Sequence, residues 1–304
     1  MRAERLRHRA SARLEATASR LAPPRLGGRG VAREVLPAAR GLNGAAGALA
    51  ASVLVDSAME HYRGEFRNPA MWTPIVVSSL SLLASLHGAG DRRQKRHPVR
   101  DTIYLLAGAT GAVGTAFHLY NVTKRTGGFS WQNLFYGAPL GAPAAISLSG
   151  LMGWLAERLR DTPRGAEPEV LGLPAGRAVA ALTGAALLGT VGEAGLLHFR
   201  GAFHNPAMLT PVTLPPVAAA LLFRAAAAPE GQRPITRWVL RATAAAGVAG
   251  VALHAYGVQR NMGGWRNWRQ NLYAGPPLPA PPAFTGLAVA GLAALRLLEG
   301  ARRV

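Results

Sequence analysis

Eight apolar segments of about 20 residues each follow one another along the chain, separated by short polar connectors. They cover residues 41–60, 69–89, 102–121, 134–156, 177–198, 206–228, 236–257 and 272–298. About 20 residues of α-helix, rising 1.5 Å per residue, match a bilayer hydrocarbon core of roughly 30 Å. The sequence therefore predicts an all-α integral membrane protein with eight transmembrane helices.

The basic residues lie mainly on one side of this predicted bundle. The chain has 304 residues, with 34 Lys and Arg against 15 Asp and Glu. Residues 1–40 hold ten arginines and are predicted to be a basic cytoplasmic tail, although their composition also suits an organellar transit peptide. The side that carries this tail has 26 basic residues and the other side has 8. The positive-inside rule then predicts a multi-pass protein of the inner (plasma) membrane with both termini in the cytoplasm.

The second half of the chain repeats the first. His61–Pro74 aligns with His198–Pro211 with 10 of 14 residues identical, and Gln132–Pro143 aligns with Gln270–Pro281 with 8 of 12 identical. Each unit contains four predicted helices, an even number, so both enter the membrane in the same sense and form tandem parallel repeats. We predict a first four-helix unit over 41–160, a linker over 161–176 and a second unit over 177–300.

Several matched residues are predicted to shape the connectors and the helix ends. Gly64 and Gly201 suit a left-handed residue after a helix, and Asn–Pro suits an N-cap followed by the first helical residue. Proline inside a predicted span indicates a kink or a break. The prolines concerned are Pro74 and Pro211 in the second helix of each unit, and Pro139, Pro143 and Pro276–Pro282 in the last helix.

Four matched histidines are the main candidates for function. His61 and His118 end the first and third helices of the first unit, and His198 and His254 do the same in the second unit. First and third helices run in the same direction, so all four side chains are predicted at one leaflet, the outer one. Ionisable side chains within membrane spans are costly and are usually functional, which favours metal ligation or proton handling. The alternative is that they are polar side chains that bond neighbouring helices.

A carboxylate precedes the first histidine of each unit by five residues, Asp56 in one unit and Glu193 in the other. With two histidines it has the composition of a 2-His-1-carboxylate iron site. Five residues of ideal helix turn by about 500°, so the carboxylate points roughly 140° away from its histidine. Only a π-bulge or an unwound turn would bring the three together. Asp56 and Glu193 are otherwise expected to form a proton or cation path.

Further matched residues lie at the same predicted leaflet. Arg63, Arg200, Tyr120 and Tyr256 are candidates for binding an anion, a haem propionate or a quinone oxygen, with snorkelling to the interface as the alternative for the arginines. Met71 and Met208 suit either a copper site or, as we expect, core packing.

Three functions remain open from the sequence. The first is a membrane redox or electron-transfer subunit with haem b, iron or copper on each histidine pair and a redox partner subunit. The second is an ion- or proton-coupled transporter or channel that uses Asp56 and Glu193. The third is a non-catalytic membrane anchor subunit. The absence of cysteine excludes thiolate chemistry and no Walker A, GxSxG or HExxH motif occurs, so no catalytic residue is assigned. Topology accounts for the basic residues without nucleic-acid binding.

Overall fold

The computed structural model describes residues 28–137, 139–163, 166–229 and 234–301, with side chains from residue 33. Over these residues the chain is mostly helical, and the strands form one short antiparallel hairpin, β1 (Glu169–Val170) with β2 (Leu173–Pro174). The helices before the hairpin are α1 (Gly28–Arg63), α2 (Thr73–Gly90), α3 (Pro98–Thr123), α4 (Trp131–Tyr136) and α5 (Gly141–Arg160). Those after it are α6 (Ala175–Arg200), α7 (Thr210–Ala227), α8 (Pro234–Gln259), α9 (Trp268–Ala274) and α10 (Pro282–Gly300). The same order of long and short helices therefore occurs before and after the hairpin.

Within the described chain, seven helical segments are long and apolar enough to cross a membrane. They are Arg33–Arg63, Pro69–Gly90, Pro98–Thr123, Ala175–Arg200, Pro206–Ala227, Pro234–Gln259 and Pro282–Gly300. Helix α5, which covers most of the predicted segment 134–156, is not among them. Its last turns carry Glu157, Arg158 and Arg160, which lower its mean hydropathy. The fold is thus all-α with seven candidate spans.

Helices α1 and α10 form the centre of the bundle. Helix α1 packs against α2, α5 and α10, while α10 also packs against α6 and α8. Helices α2, α3, α7 and α8 lie outside this core and leave apolar side chains uncovered, such as Val113 (70% exposed) and Val248 (64% exposed). An apolar outer surface of this kind is what a bilayer requires of the helices it surrounds.

The two ends of the bundle differ in their polar residues, and we name them accordingly. The histidine end is where α1, α3, α6 and α8 finish, and the arginine end is where α2 and α5 finish and α3 begins.

Helix α1 begins earlier than the apolar segment 41–60 indicates. It starts at Gly28, inside the predicted tail, and Val35, Ala38 and Ala39 are fully buried in the bundle core. Glu34 lies 3.6 Å from Arg296 of α10. The residues from 28 to 40 therefore belong to a packed helix, and the rest of the predicted tail lies outside the described residues.

The last helix of each unit is broken, as the prolines within segments 134–156 and 272–298 predict. A short helix (α4 or α9) is followed by an irregular turn and then by the long helix (α5 or α10). Each turn begins at a glycine that no other residue can replace without a clash. A Cβ on Gly137 would collide with the carbonyl oxygen of Asn133, and one on Gly275 would lie 2.5 Å from that of Asn271.

The expected kinks at Pro74 and Pro211 are wrong. Both prolines lie in the first turn of their helices, where the missing N–H has no partner to lose. A 3₁₀ turn precedes each helix and is capped as the sequence predicts. The side-chain oxygens of Asn68 and Asn205 accept from the N–H groups of Ala70 and Ala207, at 2.9 Å in both units.

The left-handed positions after α1 and α6 are not the predicted glycines. They are Glu65 and Phe66 in the first unit and Ala202 and Phe203 in the second, with φ between 44° and 56°. At Gly64 and Gly201 a Cβ would lie 2.8 and 2.9 Å from the Cε atoms of Met71 and Met208, which are the flexible ends of those side chains. Consecutive left-handed residues that are not glycine cost free energy, so the surrounding contacts must hold these two loops in place.

Candidate functional site

All four matched histidines make the same kind of hydrogen bond at the histidine end. Each Nδ1 atom lies 2.6–2.8 Å from a main-chain carbonyl oxygen. The pairs are His61 with Met71, His118 with Pro139, His198 with Met208, and His254 with Pro277. A carbonyl only accepts, so Nδ1 carries the proton, and in a neutral ring Nε2 is left with a lone pair.

The acceptors explain why this hydrogen bond recurs. Pro139 and Pro277 lie in the breaks before α5 and α10, where the backbone carbonyls have lost their helical partners. The ring N–H groups of His118 and His254 satisfy those carbonyls from the neighbouring helix. Each histidine thus has the structural role that the sequence allowed as an alternative, and its second nitrogen remains available.

His61 and His198 are fixed a second time by the strained loops that follow them. Their own carbonyls accept from the N–H groups of Phe66 and Phe203, at 3.1 Å in both units. The rings also meet these phenylalanines edge to face, with centroids 6.3 and 6.2 Å apart. The left-handed loops therefore hold the position of these two imidazoles.

In the second unit, the two histidines approach each other. The ring centroids of His198 and His254 are 6.4 Å apart and their planes are inclined by 65°. Two imidazoles bound through Nε2 to one metal, at about 2.0–2.1 Å each, would have centroids roughly 5–6.5 Å apart. The centroid separation of this pair lies at the upper end of that range.

The two carboxylates lie where the two units meet. The side chain of Glu193 of α6 lies beside Gly141, the first residue of α5 in the other unit. A Cβ at Gly141 would lie 2.7 Å from Cγ of Glu193, so glycine makes this approach possible. Asp56 of α1 is near enough to Glu193 for their charges to repel. The structure thus brings the two carboxylates toward each other and places one beside the N-terminus of a helix.

Aromatic side chains join the units above these carboxylates. Tyr62 of α1 stacks on Tyr273 of α9 at 5.4 Å, and Phe199 of α6 meets Phe135 of α4 at 6.0 Å. Arg269 donates to the Tyr62 hydroxyl at 2.5 Å. In each unit, therefore, the short helix contacts the first helix of the other unit.

The predicted anion-binding residues are used differently. Arg63 pairs with Glu60 at 2.8 Å, and Arg200 lies over the rings of Phe135 and Tyr136. Tyr120 and Tyr256 are more than half exposed. They lie beside the cations of Lys124 and Arg260, one turn further along their helices. In the structure these four side chains make contacts other than with the histidine pairs.

Sequence reasoning missed a network of buried charges at the arginine end. Arg100 is 1% exposed and donates to both carboxylate oxygens of Glu157, at 2.7 and 3.2 Å. It also donates to Asp91 at 2.8 Å, and the main-chain N–H of His97 donates to Glu157 at 2.8 Å. We name the four residues Asp91, Arg100, Glu157 and Arg160 the charged network.

Arg160 completes the network by binding the end of α2. Its guanidinium donates to the carbonyls of Arg93 at 2.6 Å and Gly88 at 2.7 Å. Burial acts to raise the pKa of Asp91, but the hydrogen bonds from Arg100 and Arg93 and the nearby arginine charges lower it to about 2. These residues fall in or beside predicted connectors, so their charges were counted only as topology signals. The sequence signal for this network was the presence of Asp91 and Glu157 beside arginines in these connectors, which indicates ion pairs.

Among the described residues, no three histidine, aspartate or glutamate side chains are grouped so that they could hold a metal ion together. Comparisons of the chain with protein-family models, with curated proteins and with solved structures find no match. The proposals that follow therefore depend on the geometry of this chain alone.

Proposed function

We propose that this chain spans the inner membrane eight times, as two parallel four-helix units, with the arginine end in the cytoplasm. Helix α5 is the eighth span, since its 20 residues extend about 30 Å. Its charged last turn belongs at the cytoplasmic interface, where the charged network neutralises it. The 26-to-8 division of basic residues supports this orientation, and it places the histidine end at the outer leaflet.

We propose further that each unit holds a transition metal or haem b on its histidine pair, His61 with His118 and His198 with His254. One observation carries this proposal: every one of these rings donates Nδ1–H to a carbonyl, which fixes the ring and leaves Nε2 for a ligand. Metal-bound histidines commonly have this second hydrogen bond, which sets the tautomer and the ring orientation. The 6.4 Å separation in the second unit fits a shared iron or copper.

A bound haem or metal would supply one-electron chemistry, and the protein would then be a redox subunit that passes electrons to a partner subunit. The chain's own residues would hold the ligand. The imidazoles provide the ligands, and the strained loops after α1 and α6 keep two of them in place.

Purified protein tests the proposal through its metal content and its absorption spectrum. We expect iron or copper, or a Soret band, at two equivalents per chain. His254→Ala should remove one equivalent, and the pair His118→Ala with His254→Ala should remove both. His204→Ala is the matched control, since His204 is exposed and bonds only the adjacent turn, to Gly201 at 2.9 Å. Unchanged content in the double variant would rule out these ligands and favour the anchor function.

A second candidate function is a proton or cation path, and the contact of Glu193 with Gly141 favours it. Half-helix N-termini that meet charged groups inside the membrane are typical of secondary transporters. Vesicles containing the protein and an internal pH dye should then acidify more slowly with Glu193→Gln. Glu60→Gln is the control, because Glu60 is a carboxylate near the end of α1 whose partner is Arg63. Equal rates for the two variants would exclude Glu193 from a path.

A further inference from the structure

A cavity of about 330 Å³ opens at the arginine end, beside the charged network and away from the four matched histidines. It is lined by Leu86, His87, Gly90, Asp91, Arg93 and His97, from the end of α2 and the connector to α3. This volume is at the lower end of the range for ligand pockets, roughly 300 Å³. His87 and His97 have no counterpart in the repeat, so sequence matching set them aside.

The histidine and arginine side chains in this cavity are not used by the fold, whereas Asp91 belongs to the charged network. The rings of His87 and His97 meet edge to face with centroids 5.3 Å apart. Neither ring makes a hydrogen bond within the described chain, and the Nδ1 atom of His97 is buried without a partner. The Arg93 guanidinium likewise has no ion pair among the described residues. A buried polar atom without a partner is costly, so this end of the bundle is not built for packing alone.

The charge balance at the cavity favours an anion. Asp91 is the acidic residue in the lining, and its charge is already matched by Arg100 at 2.8 Å and Arg160 at 3.9 Å. Arg93 and the two imidazoles are left to face the cavity. A guanidinium with N–H donors beside it is the usual arrangement for binding phosphate.

One side of the cavity is apolar and continues the outer surface of the bundle. Leu86 lines it and is 62% exposed, and Leu83, one turn earlier on α2, is 63% exposed. A free anion would not cover this apolar surface, whereas a phospholipid has both apolar acyl chains and an anionic headgroup. The acyl chains would cover the leucines while the phosphate reaches the basic residues at the membrane interface.

We propose that this cavity binds the phosphodiester headgroup of an anionic phospholipid of the cytoplasmic leaflet. Basic pockets at the cytoplasmic ends of membrane helices bind such headgroups in this way. The proposal rests on the proposed membrane orientation, but it is independent of any ligand on the matched histidines.

The test uses the full chain in neutral detergent, titrated with phosphatidylglycerol, phosphatidylcholine or inorganic phosphate. Bound lipid is counted by native mass spectrometry, and the unfolding temperature is measured in parallel. We expect one tightly held phosphatidylglycerol, with phosphatidylcholine and inorganic phosphate each at least tenfold weaker, roughly the effect of one charge-assisted contact.

Two neighbouring arginines provide the variant and its control. Arg93→Gln should weaken phosphatidylglycerol binding roughly tenfold, and Arg93→Lys should restore part of it. Arg92→Gln should leave binding unchanged, because Arg92 is also exposed on the same connector but does not line the cavity. His87→Asn should weaken binding without affecting the metal content of the same preparation.

Three outcomes would overturn the proposal. Equal losses in the Arg92 and Arg93 variants would indicate attraction by overall charge. Equal binding of phosphatidylcholine would show that the anionic headgroup is not recognised. Inorganic phosphate as strong as the lipid would identify a free anion as the occupant. Metal content measured on the same samples reports separately on the histidine pairs, so failure of one proposal leaves the other intact.

Discussion

The arginine ends of the two units are built from different residues at equivalent positions. The first unit buries Arg100, Tyr104, Glu157 and Arg160 there. At the repeat offsets of 136 to 138, the second unit has Thr236, Leu240, Leu295 and Leu298, which are also buried. One glycine contact shows the equivalence, since Gly153 packs on the Tyr104 ring as Gly291 packs on Leu240. The same helix packing is thus filled by ion pairs in one unit and by leucines in the other.

The histidine ends have stayed alike. Both units keep the imidazole–carbonyl hydrogen bonds, the asparagine caps, the left-handed loops and the broken last helix. Packing alone does not need this, because the other end shows that quite different residues can fill equivalent space. The comparison therefore indicates a requirement shared by both units at the histidine end, and one peculiar to the first unit at the arginine end.

The largest effect that would test this comparison is the loss of Glu157. Glu157→Ala removes the bidentate partner of Arg100, which keeps Asp91 alone, and leaves the His97 N–H without an acceptor in a site that is 0–2% exposed. We expect a loss of about 3–5 kcal/mol in the free energy of unfolding, measured by denaturation in micelles. Glu299→Ala in the second unit is the control, since its pair with Arg237 is about one-third exposed and is worth about 0–1 kcal/mol.

Replacing both partners sharpens the same test. The double variant Arg100→Thr with Glu157→Leu gives the first unit the residues of the second, and it leaves no buried Arg100 charge. It should therefore be more stable than Glu157→Ala alone. A double variant less stable than the single one would mean that the two units do not share their packing at this end.

Acid should destabilise the first unit through Asp91. Its pKa is about 2 in the folded chain and 3.8 by reference, so its stabilising contribution is complete above pH 4 and lost as the pH falls to 2. The contribution is about 2 kcal/mol. Asp91→Asn should be less stable than the parent at pH 6, and the difference should vanish near pH 2. A difference that stays constant with pH would contradict it. The second unit has Ala228 at this position and lacks the effect.

The two units should respond equally when a histidine is removed. His118→Ala and His254→Ala each break one hydrogen bond to a carbonyl in a helix break, and each should cost about 0.6–2 kcal/mol. Unfolding of the apoprotein measures this cost without a bound ligand. A difference between the two well above 1 kcal/mol would show that one unit alone depends on this bond.

The smallest effect concerns the caps. Asn68→Ala and Asn205→Ala should each lower the free energy of unfolding by about 1 kcal/mol, because each removes a side-chain bond to a helix N–H. Asn267→Ala is the control, since Asn267 precedes α9 but makes no capping bond. Equal costs for all three would mean that the caps themselves contribute nothing.

Local features followed from the sequence where the physics is local. The asparagine caps were predictable for two reasons. The asparagine side chain accepts from an N–H of the first turn, and the proline that follows has no N–H that needs an acceptor. The breaks before α5 and α10 were predictable from the clustered prolines. The prediction of kinks at Pro74 and Pro211 was wrong because proline occurs both at kinks and in the first turn of a helix. Here the 3₁₀ turn before each proline places it in the first turn. The left-handed residues were missed because the contacts of the whole loop, and not the presence of glycine, decide which positions take a positive φ.

The sequence by itself determined the all-α class, the candidate spans but for α5, and the internal duplication, since hydropathy and residue identity need no knowledge of contacts. Only the tertiary structure decided how the units meet. Helix α10 approaches α1 closely through Gly286, whose Cβ would lie 3.0 Å from the Ala45 carbonyl, whereas the matching position in α5 is Leu148. Helices α5 and α6 accordingly touch at few positions, and one of these joins Glu193 to Gly141. Contacts between residues distant in the chain depend on the shapes of both partners, which hydropathy does not encode.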